Sequence, residues 1–313
     1  MTIFTVASAA YGICEVGNDI WVSLNSYGVA KISAGVVTNY PITGMGYARG
    51  LCLLGSNLWV TDATNLGAGG GVWKVPLSNP SSAVKYSIGA GGYAPHDICV
   101  ANDGNLYMCN AGAGSPNVSA WRVTPGGTII PMPSFMGWVG GMEQIVFGPD
   151  NRLWMADTAG AIRAFSTSFG SLLVAAVGSG AIPWAICVGP EAVPNQQLWF
   201  TDANNGELWK CSTSGTITRI TPSPVFSTPN SILTAYGSAW VGDTNLQNLY
   251  EYDVSGTLIN TIPVHNFGDL QALCTGPPVG SSGVVYSGPL VVAPAVPAIW
   301  SAGNGNTVQQ IAA

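Results

Sequence analysis

Residues 57–63 read NLWVTDA, and the chain returns to nearly the same phrase as RLWMADT (152–158), QLWFTDA (197–203) and SAWVGDT (238–244). Each copy is a short apolar, β-favouring run with a tryptophan in mid-strand and an aspartate three residues later, where a turn begins. The aromatic recurs as Trp21, Trp59, Tyr107, Trp154, Trp199, Trp240 and Trp300, at gaps of 38 to 60 residues. That period fits one four-stranded propeller blade and is too long for a leucine-rich repeat.

Each unit carries four β-type runs in a fixed order. In the first they are YGICEV, IWVS, VAKIS and VVTNYPI, and in the fifth WAICVG, LWFTD, LWKCS and TITRIT. Helical periodicity is absent. The expected fold is therefore all-β: one domain over residues 1–313, a single seven-bladed propeller of four-stranded blades. The last unit offers ALCTG, AIWSA and TVQQIA, one strand short, while TIFTV stands unclaimed before the first. A ring must close or leave open edges, so residues 2–6 are expected to be the outermost strand of blade seven, the rest of which is 269–313.

Composition narrows the function. The chain has 313 residues, 47% of them hydrophobic and only 8% charged, with a net charge of -6. A field that weak and negative excludes attraction to nucleic acid or anionic lipid. Met1 is followed by TIFTVASAAYGICEVG, which has no basic region, so no secretory signal is expected and synthesis is expected to be cytoplasmic. The uncharged stretch 164–190 is broken by Gly178, Ser179, Gly180 and Pro183 into strand lengths, so no membrane span is expected. Cys14, Cys52, Cys99, Cys187 and Cys274 occupy one equivalent place, filled by Val146 and Leu233 in blades four and six. A slot that takes Cys, Val or Leu is small and apolar, which predicts reduced, buried thiols and no disulfides.

Hairpin geometry puts the residue opening the first strand and the residue closing the second at the same end of each blade. The predicted inner ring is Tyr11, Arg49, His96, Glu143, Trp184, Asn230 and Gln271, and the second ring is Leu24, Asp62, Asn110, Asp157, Asp202, Asp243 and Gly303. The second-ring aspartates read as Asx-turns, with Asp157, Asp202 and Asp243 the candidates for a metal. In the inner ring seven different side chains surround the mouth of the channel, as a binding surface requires, with Trp184 and Tyr11 expected to be exposed. His96 and Glu143 are the candidate acid–base pair.

The phrase GI...G...LWFTD...G.I.KI resembles the blades of the virginiamycin B lyase family and, more loosely, NHL-type propellers. The resemblance implies an elimination that opens a cyclic depsipeptide near bound Mg²⁺, with a histidine base, a second histidine, a tyrosine and metal-holding glutamates. Tyr11 matches the tyrosine. The two histidines are expected where this chain has Asn230 and Gln271, whose amides cannot act as bases, and a glutamate is expected at Gly303. Asp269 alone survives of the acid set. The expected function is thus non-catalytic binding without a cofactor, the partner being a protein or surface glycan at the channel mouth. The few charges and abundant Gly, Ser, Asn and Thr resemble virion proteins such as phage tail or capsid components. The alternative is a metal-dependent carbon–oxygen lyase with its site rebuilt on His96 and Glu143. The Pro-rich insertion 277–297 offers a second protein-docking surface, and His265 is expected outside the ring.

Overall fold

A computed structural model describes residues 2–64, 69–89, 93–111, 120–132, 140–170, 172–220, 226–264, 270–276, 298–303 and 307–312. Its strands form seven antiparallel sheets of four, each made in chain order except the last. There the strand Thr2–Thr5 pairs with Thr307–Ala312, so the start of the chain completes blade seven. The ring closes as expected, one residue shorter than the 2–6 read from sequence.

Within a blade the hairpins follow turn chemistry. Gly17 has φ of 62°, a left-handed conformation that a β-carbon disfavours, and it links the strands Ala10–Val16 and Asp19–Leu24 through a two-residue turn. Stretch 164–190 contains the strands Leu173–Ala176 and Pro183–Val188, and no helix among the described residues is long and apolar enough to cross a membrane.

The core lies in the seams between blades. Trp59 of blade two packs with Ile98, Leu106 and Trp121 of blade three, and Trp154 of blade four with Ile186, Leu198 and Phe200 of blade five. Trp300 packs against Ile13, Val22 and Phe4, which seals the last seam. All seven repeated aromatics are buried. The phrase that defines the repeat is therefore the inter-blade glue, because an indole covers more area than any other side chain can.

Cys14, Cys52, Cys99, Cys187, Cys109 and Cys211 are free thiols. Cys109 and Cys211 are buried, whereas Cys14, Cys52, Cys99 and Cys187 are only half-buried, a correction to the sequence reading. Each packs at the edge of a seam cluster, Cys14 between blades one and two, Cys52 between two and three, Cys99 between three and four, and Cys187 between five and six. That burial still pushes the Cys14 and Cys187 thiols up to about 12.

Candidate functional site

The inner ring is set by one backbone device. In every blade the register of the first hairpin shifts between the residue before the ring position and the residues after it, as between Ala10 and Ile13, Pro95 and Ile98, and Pro183 and Ile186. A bulge of one extra residue re-aims its side chain off the sheet. Tyr11, Arg49, His96, Glu143, Trp184 and Asn230 thereby line one pocket of about 240 Å³ at the channel mouth. For Gln271 only the backbone is described, and it occupies the equivalent register in Leu270–Gly276.

The bulges are tied blade to blade through main-chain groups. Ser23 donates its hydroxyl to the carbonyl of Arg49 at 2.6 Å, and Thr61 donates to that of His96 at 2.7 Å. Gly12 and Gly50 permit this closeness: a β-carbon on Gly12 would collide with the Arg49 carbonyl, and one on Gly50 would lie 2.7 Å from the Cα of Asp97. Where the third strand residue is larger, it makes the link itself. Asp97 accepts from the Ile145 N–H at 3.1 Å, and Gln144 from the Ile186 N–H at 2.7 Å. These two pocket residues were not singled out in the sequence, although each directly follows a ring position.

Two expectations about exposure are corrected. Tyr11 is buried at 9% exposure, because the Arg49 guanidinium lies over its ring at 4.2 Å, and Trp184 is half-buried against the seam of blades five and six. The mouth is narrow enough that neighbouring ring residues cover one another. The second ring is not a surface at all, since Leu24, Asp62, Asp157, Asp202 and Asp243 are fully buried.

Those aspartates serve their own hairpins. Asp62, Asp157 and Asp202 accept from the N–H two residues on, at Thr64, Ala159 and Asn204, while Asp243 reaches the N–H of Leu246, three residues on. Asp62 also accepts from the Trp73 indole and meets Lys85 Nζ at 3.0 Å. Burial works to raise its carboxyl, yet donors on Thr64, Trp73 and Lys85 outweigh this and hold it below the usual range. Asp157 is paired with buried Arg163, and Asp243 accepts from Ser227 N–H and Thr228 N–H. Each carboxylate is consumed in a separate blade, and no group of three potential metal ligands occurs among the described residues. The Mg²⁺ implied by the lyase resemblance does not fit these side chains. Asp269, His265 and the insertion 277–297 lie outside the described residues.

His96, Asp97 and Glu143 line the mouth together with Arg49 and Tyr11. His96 Nδ1 is 2.8 Å from the Glu143 carbonyl and 3.5 Å from its Oε2. Burial, then the nearby Arg49 charge, lowers His96 to about 4 against the bond to Glu143, so the imidazole is neutral and the longer approach to the carboxylate is no ion pair at pH 7. Burial raises Glu143 to about 7, with Arg49 opposing, and raises Asp97 to about 6 against the N–H donors of Ile145 and Ile98. Arg49 is the one ring residue with a fixed positive charge.

Neither a family profile nor a curated protein matches the sequence. Among solved structures, a catalytically inactive virginiamycin B lyase from Staphylococcus aureus with quinupristin matches with a TM-score of 0.79 and 16% identity, over 99% of this chain and 97% of that one. The WD40 propeller domain of Doa1 matches with a TM-score of 0.73 and 12% identity, over 99% of this chain and 94% of that one. A chain of a nidogen/laminin complex matches with a TM-score of 0.58 and 12% identity, over 80% of this chain and 94% of that one. At such identities the likeness concerns the path of the chain, and the fold of this protein is the seven-bladed β-propeller that the virginiamycin B lyases also have.

Proposed function

We propose that this propeller is a non-catalytic binding protein that seats part of a protein or surface-glycan partner in the mouth of its channel. The observation that carries the reading is a contrast within one repeat. The seam slot holds Trp or Tyr in all seven blades, as packing demands, whereas the bulged ring position holds seven different residues on the same backbone. Side chains held by rigid strands around a concave site are what recognition needs. The nidogen/laminin likeness supports the choice, because there a propeller-like chain belongs to a protein complex. Association with a virion rests on composition alone and is part of the same proposal.

The test is binding of labelled protein to glycan and peptide arrays, beside Trp184→Ala and Asn230→Ala. A defined set of hits lost in the variants is expected. No hits, or hits indifferent to both changes, would count against the mouth as the site.

A second reading, carbon–oxygen elimination on a rearranged site, is favoured by one observation. Nδ1 of His96 points at a carbonyl, which only accepts, so the proton sits there and the lone pair of Nε2 is left as a base. A base held near 4 is nonetheless poorly matched to neutral pH, which ranks this reading second.

A further inference from the structure

Arg49 is the cation that lines the mouth pocket, and like Lys74 and Arg122 it meets no carboxylate among the described residues. Lys31, Lys85, Arg152, Arg163, Lys210 and Arg219 all meet a carboxylate. Arg49 forms no ion pair among the described residues; its guanidinium lies over the ring of Tyr11, at 4.2 Å, and over that of Tyr47, at 5.5 Å. Its Nε is buried without a hydrogen-bond partner. Stacking fixes the plane of the guanidinium and leaves its edge donors unused, an arrangement suited to a planar, two-oxygen acceptor. Glu143, the acidic residue of the ring, makes no ion pair with Arg49, and burial raises it to about 7, so around neutrality its charge offsets that of Arg49 only in part.

The rest of the pocket shows what carries that acceptor. Ser231 is 2% exposed, lines the pocket, and its hydroxyl has no partner. Asn230 is tied to Thr244 at 3.3 Å through one amide hydrogen-bonding group, which leaves the rest of the amide for a ligand. The half-buried Trp184 indole adds an apolar face. Hydroxyl and amide groups beside an indole suit a pyranose, which has an apolar C–H face and a rim of hydroxyls.

Building on the binding reading above, we infer that the channel mouth takes an acidic sugar, a pyranose bearing a carboxylate, with Arg49 holding the carboxylate and Trp184, Asn230 and Ser231 the ring. The net charge of -6 gives no long-range attraction to such a ligand, so recognition is local to Arg49.

Calorimetric titration tests this with three probes: methyl glucuronide, the neutral methyl glucoside, and N-acetylalanine, a carboxylate on a peptide unit. The glucuronide should bind at least about ten-fold more tightly than either of the others. Arg49→Gln should erase the preference over the glucoside, and Trp184→Ala should weaken both sugars. If Arg49→Gln fails to fold, Arg49→Lys takes its place and should shrink the preference, because a lysine cannot present the planar pair of donors. Equal binding of the glucoside, or of N-acetylalanine, overturns the inference, as does a preference that survives the Arg49 change. Array hits on neutral glycans or peptides with no response to glucuronide would overturn this inference and leave the binding reading intact. An absence of array hits together with no sugar binding overturns both.

Discussion

The imidazole Nδ1 of His96 lies 2.8 Å from the main-chain oxygen of Glu143, across the seam of blades three and four. The contact fixes the neutral tautomer and places an acid–base network in the wall of a pocket.

That network sets a pH dependence whose sign can be worked out. Glu143 and Asp97 have folded values raised to about 7 and about 6, so their ionised forms cost stability at high pH, and the cost is relieved as pH falls toward 4.5 and 3.8. His96 works the other way: the unfolded chain takes up its proton near 6.5 and the folded one only near 4, so stability is lost across that window. Two groups gain while one loses, and chemical denaturation should show the protein more stable at pH 5 than at pH 8, by roughly 2 kcal/mol. Stability that is flat or falls over this range would contradict the assignment.

Glu143→Gln isolates one member. At pH 8 the amide avoids the cost of an ionised buried carboxylate, so the variant should be the more stable by up to about 3 kcal/mol, with little difference at pH 5. A variant destabilised equally at both values would mean that Glu143 makes contacts its charge does not explain.

The seam and the mouth should respond differently to loss of an indole. Trp154 is fully buried and donates its Nε1–H to Asp150 at 2.9 Å, so Trp154→Ala should cost roughly 3 to 5 kcal/mol. Trp184 is half-buried, and Trp184→Ala should cost about 1 to 2 kcal/mol of stability while weakening binding at the mouth. Thermal melts of the two variants would expose a wrong register if their order were reversed.

Phe4 stacks on Trp300 at 5.5 Å between ring centroids, within the strand that closes blade seven. Removing residues 1–6 uncovers that strand edge and the indole together, and light scattering should detect aggregation well below the melting temperature of the parent. A truncated chain as soluble and heat-stable as the parent would refute the role of the clasp.

Quinupristin incubated with the protein and Mg²⁺ should remain intact by mass spectrometry. Asn230 presents an amide where the lyase resemblance expects a histidine, and the buried aspartates are already spent on their own turns. Metal-dependent ring opening lost in His96→Ala would instead establish the second reading.

The phase of the tryptophans was enough to find the six ring residues that line the pocket, because the register of one hairpin carries the seam residue and the mouth residue together. What could not be read was how closely the blades approach. Gly12 and Gly50 look like ordinary strand glycines until the Arg49 and His96 carbonyls are seen against them, and Asp97 carries no signal in the sequence until it meets Ile145. The same closeness buries Tyr11 and the second-ring aspartates, which hairpin geometry alone had set on a surface.

The bulges leave the ring residues joined to their neighbours chiefly by main-chain oxygens, those of Arg49, His96 and Glu143, which any amino acid supplies. The mouth is in that respect a row of sockets: the wiring is in the frame, and the fitting in each socket can be exchanged. On the binding reading proposed above, a library randomised at Arg49, Glu143 and Asn230 would vary what the mouth takes while these main-chain links stay in place.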